Sequence, residues 1–135
     1  MAGNYDWPRV AFRRAAIDAA AAVIITALLV VHYLRGNRDI DTSWVVLGGP
    51  VMLYHAVEVW RQGRAMRRGE RYAYRAMLIL TAIKVAAWLG FVIWAWGNIG
   101  PVVLGIIMLA LKIGELGIYM RAGRAAQPED KSGRA

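Results

Sequence analysis

Six ionisable side chains stand inside long apolar stretches of this chain: Asp18, His55, Glu58, Lys84, Lys112 and Glu115. A charge near the middle of a bilayer costs about 2.5–3.5 kcal/mol or more. Such groups persist when they pair with one another or when they carry protons or ions. Here three carboxylates face two lysines and one histidine, so the set can nearly neutralise itself. His55 and Glu58 are spaced i,i+3, as are Lys112 and Glu115, which puts each pair on one helix face. Measured from the nearest flanking arginine at about 1.5 Å per residue, the two lysines are deepest, at roughly 13–14 Å. All six therefore belong to one polar layer in the half of the apolar stretches nearest the arginines. The layer has two readings. It is a structural clamp, in which interhelical polar contacts average about 0.6 kcal/mol each, or it is a proton or ion route.

Other chemistry is thin. The absence of cysteine excludes disulfides and thiolate metal sites. His32 and His55 sit at different depths, so a shared haem iron is not expected. Asp39 and Asp41 resemble the opening of a calcium loop, but the glycine and later glutamate of such a loop are missing. They suit capping better. No nucleophile elbow, phosphate loop, zinc-binding H-E-x-x-H or dinucleotide glycine pattern occurs. No catalytic residue, metal or cofactor is expected.

These residues must be positioned by helices. The chain is 59% hydrophobic, with a formal net charge of +8 over 135 residues and a mean hydropathy of +0.38. The apolar residues form blocks and the arginines fall between them. A nucleic-acid binder spreads its charge over a polar face, so nucleic acid is not expected as a partner. The pattern predicts an all-α membrane protein, a bundle of four transmembrane helices. The spans run roughly over Ala15–Leu34, Trp44–Trp60, Ala76–Trp96 and Ile99–Met120. Residues 1–14 form a basic N-tail, 15–60 a first hairpin, 61–75 a basic loop, 76–120 a second hairpin, and 121–135 a polar, disordered C-tail. The first apolar stretch is too long for a secretory signal and lacks its cleavage site, so it reads as a retained span. Gly36 can end the first helix, and Asp41, Thr42 or Ser43 can cap the second. Gly48-Gly49-Pro50 predicts a kink near one end of the second span. Gly97-Asn98 links the last two spans, with Pro101 in the first turn of the fourth.

Lysine and arginine counts set the orientation. The N-tail has Arg9, Arg13 and Arg14. The middle loop has Arg61, Arg64, Arg67, Arg68, Arg71 and Arg75. The C-tail has Arg121, Arg124, Lys131 and Arg134. The other side has only Arg35 and Arg38, beside Asp39 and Asp41. Both termini are therefore expected in the cytoplasm. The six middle-loop arginines enforce topology and can meet anionic lipid head groups. Tyr33, Trp44, Trp94 and Trp96 suit an outer aromatic belt; Phe12, Trp60, Tyr72, Tyr74 and Tyr119 suit an inner one. Ala15, Ala16, Ala19, Ala20, Gly105, Gly114 and Gly117 permit close helix approach.

The hairpins also resemble each other. Arg9-Val-Ala-Phe-Arg13 precedes the first span and Arg71-Tyr-Ala-Tyr-Arg75 the third. Val45-Val-Leu-Gly48 matches Val102-Val-Leu-Gly105. At that offset Glu58 falls on Glu115, His55 on Lys112, and Arg64-Ala65-x-Arg67 on Arg121-Ala122-x-Arg124. The chain reads as a parallel repeat of two hairpins, with a pseudo-twofold along the membrane normal.

Small multidrug-type exporters and small fluoride channels have a similar number of spans and length. Many of them insert in dual topology, which demands the weak charge bias this chain lacks. In outline the chain resembles phage holins, which are small, span the membrane a few times, carry no catalytic motif and often end in a charged tail. The expected role is non-catalytic: self-assembly in the bilayer as a holin-like lesion former, or service as an accessory subunit of a larger membrane complex. The alternative is a small proton- or cation-coupled transporter or channel using the polar layer. Its 14 arginines against 3 lysines suit a GC-rich bacterium or its phage. The expected location is the bacterial cytoplasmic membrane, or the host's for a phage protein.

Overall fold

Asp6 starts the first helix. Its Oδ1 accepts the backbone N–H of Arg9 at 3.2 Å, and Pro8 sits in the opening turn, where its missing N–H costs nothing. The computed structural model describes residues 5–36 and 42–127. Arg38, Asp39, Asp41, Lys131 and Arg134 lie outside those residues. Four α-helices follow in order: α1 (Trp7–Leu34), α2 (Gly49–Arg67), α3 (Arg71–Trp94) and α4 (Ile99–Ala125). A π-helical segment, Trp44–Gly48, leads directly into α2. Pro50 cannot donate to the carbonyl of Val46. The expected irregularity at Gly48-Gly49-Pro50 thus takes the form of a widened turn just before it.

Each helix end has a local cause. Gly36, at φ +82°, follows the last turn of α1. Gly97, at φ +102°, carries the reversal between α3 and α4. The α2–α3 turn is a Schellman motif: the N–H of Glu70 donates to Ala65 O and that of Gly69 to Met66 O, both at 3.0 Å. Gly69 supplies the left-handed backbone, at φ +79°. The segment 61–75 is therefore not the loop expected from its charge. Arginine is a good helix former, so α2 continues to Arg67, α3 starts at Arg71, and only Arg68–Glu70 turn. For the same reason α1 begins inside the expected N-tail, and α4 runs on to Ala125 inside the expected C-tail.

Neighbouring helices run antiparallel. Gly63 near the end of α2 faces Ala15 and Phe12 near the start of α1, while Gly49 faces Thr26. Gly105 near the start of α4 faces Phe91 and Val92 of α3, and Gly123 faces Tyr74. Two further pairings, α1 with α4 and α2 with α3, close a ring; among the described residues the diagonal pairs do not meet through their backbones. On α1 the buried positions are Ala11, Ala15, Ala19, Ala22 and Thr26. Small side chains at three- and four-residue spacing let the backbones approach closely. Of the small residues singled out for such approach, Ala15, Ala19 and Gly105 are buried, but Ala20 and Gly114 are exposed.

Large aliphatics point the other way. Ile24, Ile25, Leu28, Ile79, Ile83, Ile93, Ile106 and Ile107 are exposed, while the buried positions are mostly alanines, glycines and polar or charged groups, with only a few larger side chains such as Val59, Met66, Met77 and Tyr119. That is the reverse of a water-soluble bundle and suits hydrocarbon as the outer solvent. Three helices, α1, α3 and α4, are long and apolar enough to cross a membrane. α2 is not among them, because His55, Glu58, Arg61, Gln62 and Arg64 dilute its nineteen residues.

A Cβ added at Gly105 would lie 2.6 Å from Val92 Cγ2 and 3.1 Å from Phe91 Cδ1. Valine is stiff at χ1 and cannot swing aside freely. Gly105→Ala should therefore destabilise the protein by about 1–3 kcal/mol, read as a lowered midpoint of thermal unfolding in detergent. Gly114→Ala, where nothing lies within 4 Å, should not. Equal midpoints for both variants and the wild type would refute the close packing of α3 on α4.

Candidate functional site

The polar layer condenses around Asp18 on α1. Lys112 Nζ of α4 donates to its Oδ1 at 2.9 Å. Lys84 Nζ of α3 donates to its Oδ2. His55 Nε2 of α2 lies 3.7 Å from the same Oδ2, an ion-pair distance when the ring is protonated. One carboxylate thus gathers a group from each of the other three helices. Lys84 reaches it across the diagonal of the ring. Its Cβ is tilted toward the start of α3, so the long side chain leans back toward the arginine-rich end, where Asp18 stands.

A second carboxylate extends the cluster. Lys112 Nζ also donates to Glu115 Oε2 at 2.9 Å. The same oxygen accepts from Arg14 Nη2 at 3.3 Å and Nε at 3.4 Å. Lys112 therefore bridges the two acids, and Arg14 closes the network on the α1–α4 side. The Lys112–Glu115 side of the cluster is buried: the Glu115 side chain is 0% exposed and that of Lys112 6%. Three cations meet two carboxylates here, with His55 alongside. A buried charge survives only when paired and hydrogen-bonded, and each acid oxygen except Glu115 Oε1 has a cationic neighbour.

Five of the six residues singled out from the sequence come together: Asp18, His55, Lys84, Lys112 and Glu115. Glu58 does not. It stays at the flank, its side chain 20% exposed, and accepts from Arg61 at 2.9 Å and Gln62 at 2.7 Å. The i,i+3 pairing of His55 with Glu58 is replaced by these, because His55 faces the centre and Glu58 the flank. Arg14 joins instead, although its place among the tail arginines argued for a topology role. The available signal was its i,i+4 spacing to Asp18, beside the buried stripe of Ala11 and Ala15. Tyr74 and Tyr119, expected in the inner aromatic belt, are buried at 3% and 0% exposure. Tyr74 donates its hydroxyl to Met66 O at 3.3 Å and ties α3 to α2.

Four polar atoms are buried without a hydrogen-bond partner among the described residues: Gln62 Oε1, Thr81 Oγ1, Glu115 Oε1 and Tyr119 OH. Thr81 lies one turn before Lys84 on α3, and Tyr119 one turn after Glu115 on α4. An orphaned buried polar atom costs about 1–3 kcal/mol and is a natural place for an internal water.

The remaining arginines serve the basic end. Arg61 holds Glu58. Arg68 Nε meets Glu70 Oε1 at 2.8 Å across the α2–α3 turn. The Tyr72 hydroxyl first, and then Arg68, hold the Glu70 carboxyl below the usual carboxylate range. Arg67 lies over the Phe12 ring, 5.2 Å from its centroid, and Arg121 over Trp7 at 5.3 Å. Arg64, Arg71 and Arg75 are exposed at the same end.

Asp18→Asn would leave Lys84 and Lys112 facing a neutral amide inside the bundle. A loss of about 3–5 kcal/mol is expected, measured by chemical or thermal unfolding in detergent. Glu58→Gln removes a partly hydrated flank contact and should cost under about 1 kcal/mol. Comparable losses for the two would show that Asp18 is not the centre of the network. In comparisons with protein-family models, curated proteins and solved structures, nothing matches the chain.

Proposed function

We propose that this chain spans the membrane four times, with both termini in the cytoplasm, and acts there without catalysis. It works by self-assembly, as holin-like lesion formers do, or as an accessory subunit of a larger complex. The observation that carries this reading is the fate of the buried ionisable groups. Asp18, Lys84, Lys112, Glu115 and Arg14 are bound to one another, which is a structural use of charge. The outward faces are aliphatic and free to meet lipid or another helix. The positive-inside bias sets the orientation, and α2 is read as the remaining span, with His55 turned onto the cluster and Glu58 answered by Arg61 and Gln62. The matched hairpins support an origin by duplication. The arginine-rich usage supports a bacterial or phage source.

A second reading rests on a different observation. The unpartnered oxygens of Glu115, Tyr119 and Thr81 are the kind that hold water beside titratable groups. A proton or small cation relayed through them would make the protein a minimal transporter or channel.

The topology is testable because the chain has no native cysteine. Single cysteines at Gly69 and Gln127 should resist a membrane-impermeant maleimide in intact cells, and one at Asn98 should react. Reaction at Gly69 from outside would overturn the orientation. For the role, protein extracted in mild detergent should run as an oligomer or with a partner. A strictly monomeric, partner-free protein would sink the assembly reading. If instead liposomes carrying the protein pass protons or cations, and Lys112→Met or Glu115→Gln stops that flux in folded protein, the transport reading takes its place.

A further inference from the structure

Between the first turns of α1 and the last turn of α2 lies a cavity of about 450 Å³, lined by Asp6, Pro8, Arg9, Phe12, Arg13 and Arg67. That is within the size range of small-ligand sites. Asp6 is already engaged. It caps α1 through the Arg9 N–H, and its other oxygen sits 3.5 Å from Arg9 Nε. Arg13 and Arg67 have no carboxylate partner among the described residues. The cavity therefore presents two guanidiniums, from two different helices, whose charge nothing in the described protein answers. The Arg67 group is also held in place over the Phe12 ring. A planar, pre-positioned guanidinium is suited to phosphate oxygens.

What lies beside the cavity decides between a free phosphate and a lipid. Phe12 packs on Trp60 with ring centroids 5.9 Å apart. On α2 the stripe Arg67, Arg64, Trp60, Val57, Leu53 recurs every three or four residues along one face. All five are exposed, Trp60 at 45%, Val57 at 65% and Leu53 at 45%. The stripe reads as charge, then an interfacial aromatic, then aliphatics. From Arg67 to Leu53 is about 21 Å along the helix, enough to pass from the head-group level well into the hydrocarbon. A soluble phosphate has no use for the aliphatic part of that face.

We propose that this cavity binds the phosphate of an anionic glycerophospholipid, with Arg13 and Arg67 on the head group and the acyl chains along the Trp60–Val57–Leu53 face of α2. The inference rests on the membrane reading above. It narrows the head-group contact open to all six middle-loop arginines to Arg67, in one cavity, and draws Arg13 in from the other helix.

The test uses full-length protein in nanodiscs of phosphatidylcholine with a small fraction of phosphatidylglycerol, followed by native mass spectrometry of retained lipid. The wild type should retain phosphatidylglycerol preferentially. Arg13→Gln and Arg67→Gln should each weaken that retention about fivefold. Arg13→Lys and Arg67→Lys should keep part of it. Arg71→Gln and Arg75→Gln remove equal charge on α3, outside both the cavity and the α2 stripe, and should have less effect. An equal loss with these two would mean that only the general surface potential attracts lipid, which overturns the site. Displacement of the lipid by millimolar inorganic phosphate would make it a free-anion site and overturn the lipid assignment. Protein that fails to enter nanodiscs while remaining folded would instead defeat the membrane reading, a distinct result.

Discussion

Asp18 is a short side chain that must be reached from three other helices at once. This requirement governs much of the bundle. A carboxylate at that depth is tolerable only with cationic donors on both oxygens, and Lys112 and Lys84 provide them, with His55 beside. Bringing those donors within reach needs α1 to lie close to its neighbours, which the alanines at 11, 15, 19 and 22 permit. It also needs the ring order, since Lys84 comes from the helix diagonal to α1. Length matters here. A lysine can cross the middle of a four-helix ring, whereas a second aspartate could not. Glu115 and Arg14 then extend the same network toward the basic end.

The interior is correspondingly uneven. The continuous packed core lies near the basic end, with Ala11, Ala15, Val59, Ala65, Met66, Ala73, Tyr74, Met77, Tyr119 and Ala122. Toward the other end the buried positions thin out to Ala22, Thr26, Gly49, Val92, Ala95 and Gly105. In a membrane the tails are as apolar as leucine, so burial of aliphatics offers little drive for helix association. Close small-residue contacts and buried polar groups supply it instead. Both are concentrated where the core is densest, and the isoleucines are left outside.

The arginines, uniform in the sequence, are divided by the fold among different tasks. Arg14 is drawn inward to a buried acid. Arg61 and Arg68 settle carboxylates at the flank and at the turn. Arg67 and Arg121 stack on aromatic rings, where a guanidinium has an advantage over an ammonium. Arg13 keeps an unanswered charge. The chain's preference for arginine over lysine thus has a structural counterpart at the basic end, while its two in-span lysines are both spent on Asp18.

The sequence by itself determined the all-helical class, the end of the first helix at Gly36, the reversal at Gly97, and five of the residues that the polar cluster gathers. Those follow from local rules: apolar run length, glycine's tolerance of positive φ, and the cost of charge in hydrocarbon. It misplaced the helix ends at 61–75, because positive charge marks the membrane boundary without ending a helix. Only the tertiary structure decided that Glu58 stays at the flank while Glu115 is sealed in, although each stands thirteen residues after the first valine of a Val-Val-Leu-Gly run. Only the tertiary structure brought Arg14 into the cluster. The reason is rotation about the helix axis. Residue spacing says which side chains share a face, but which face looks inward depends on packing against neighbours distant in the chain.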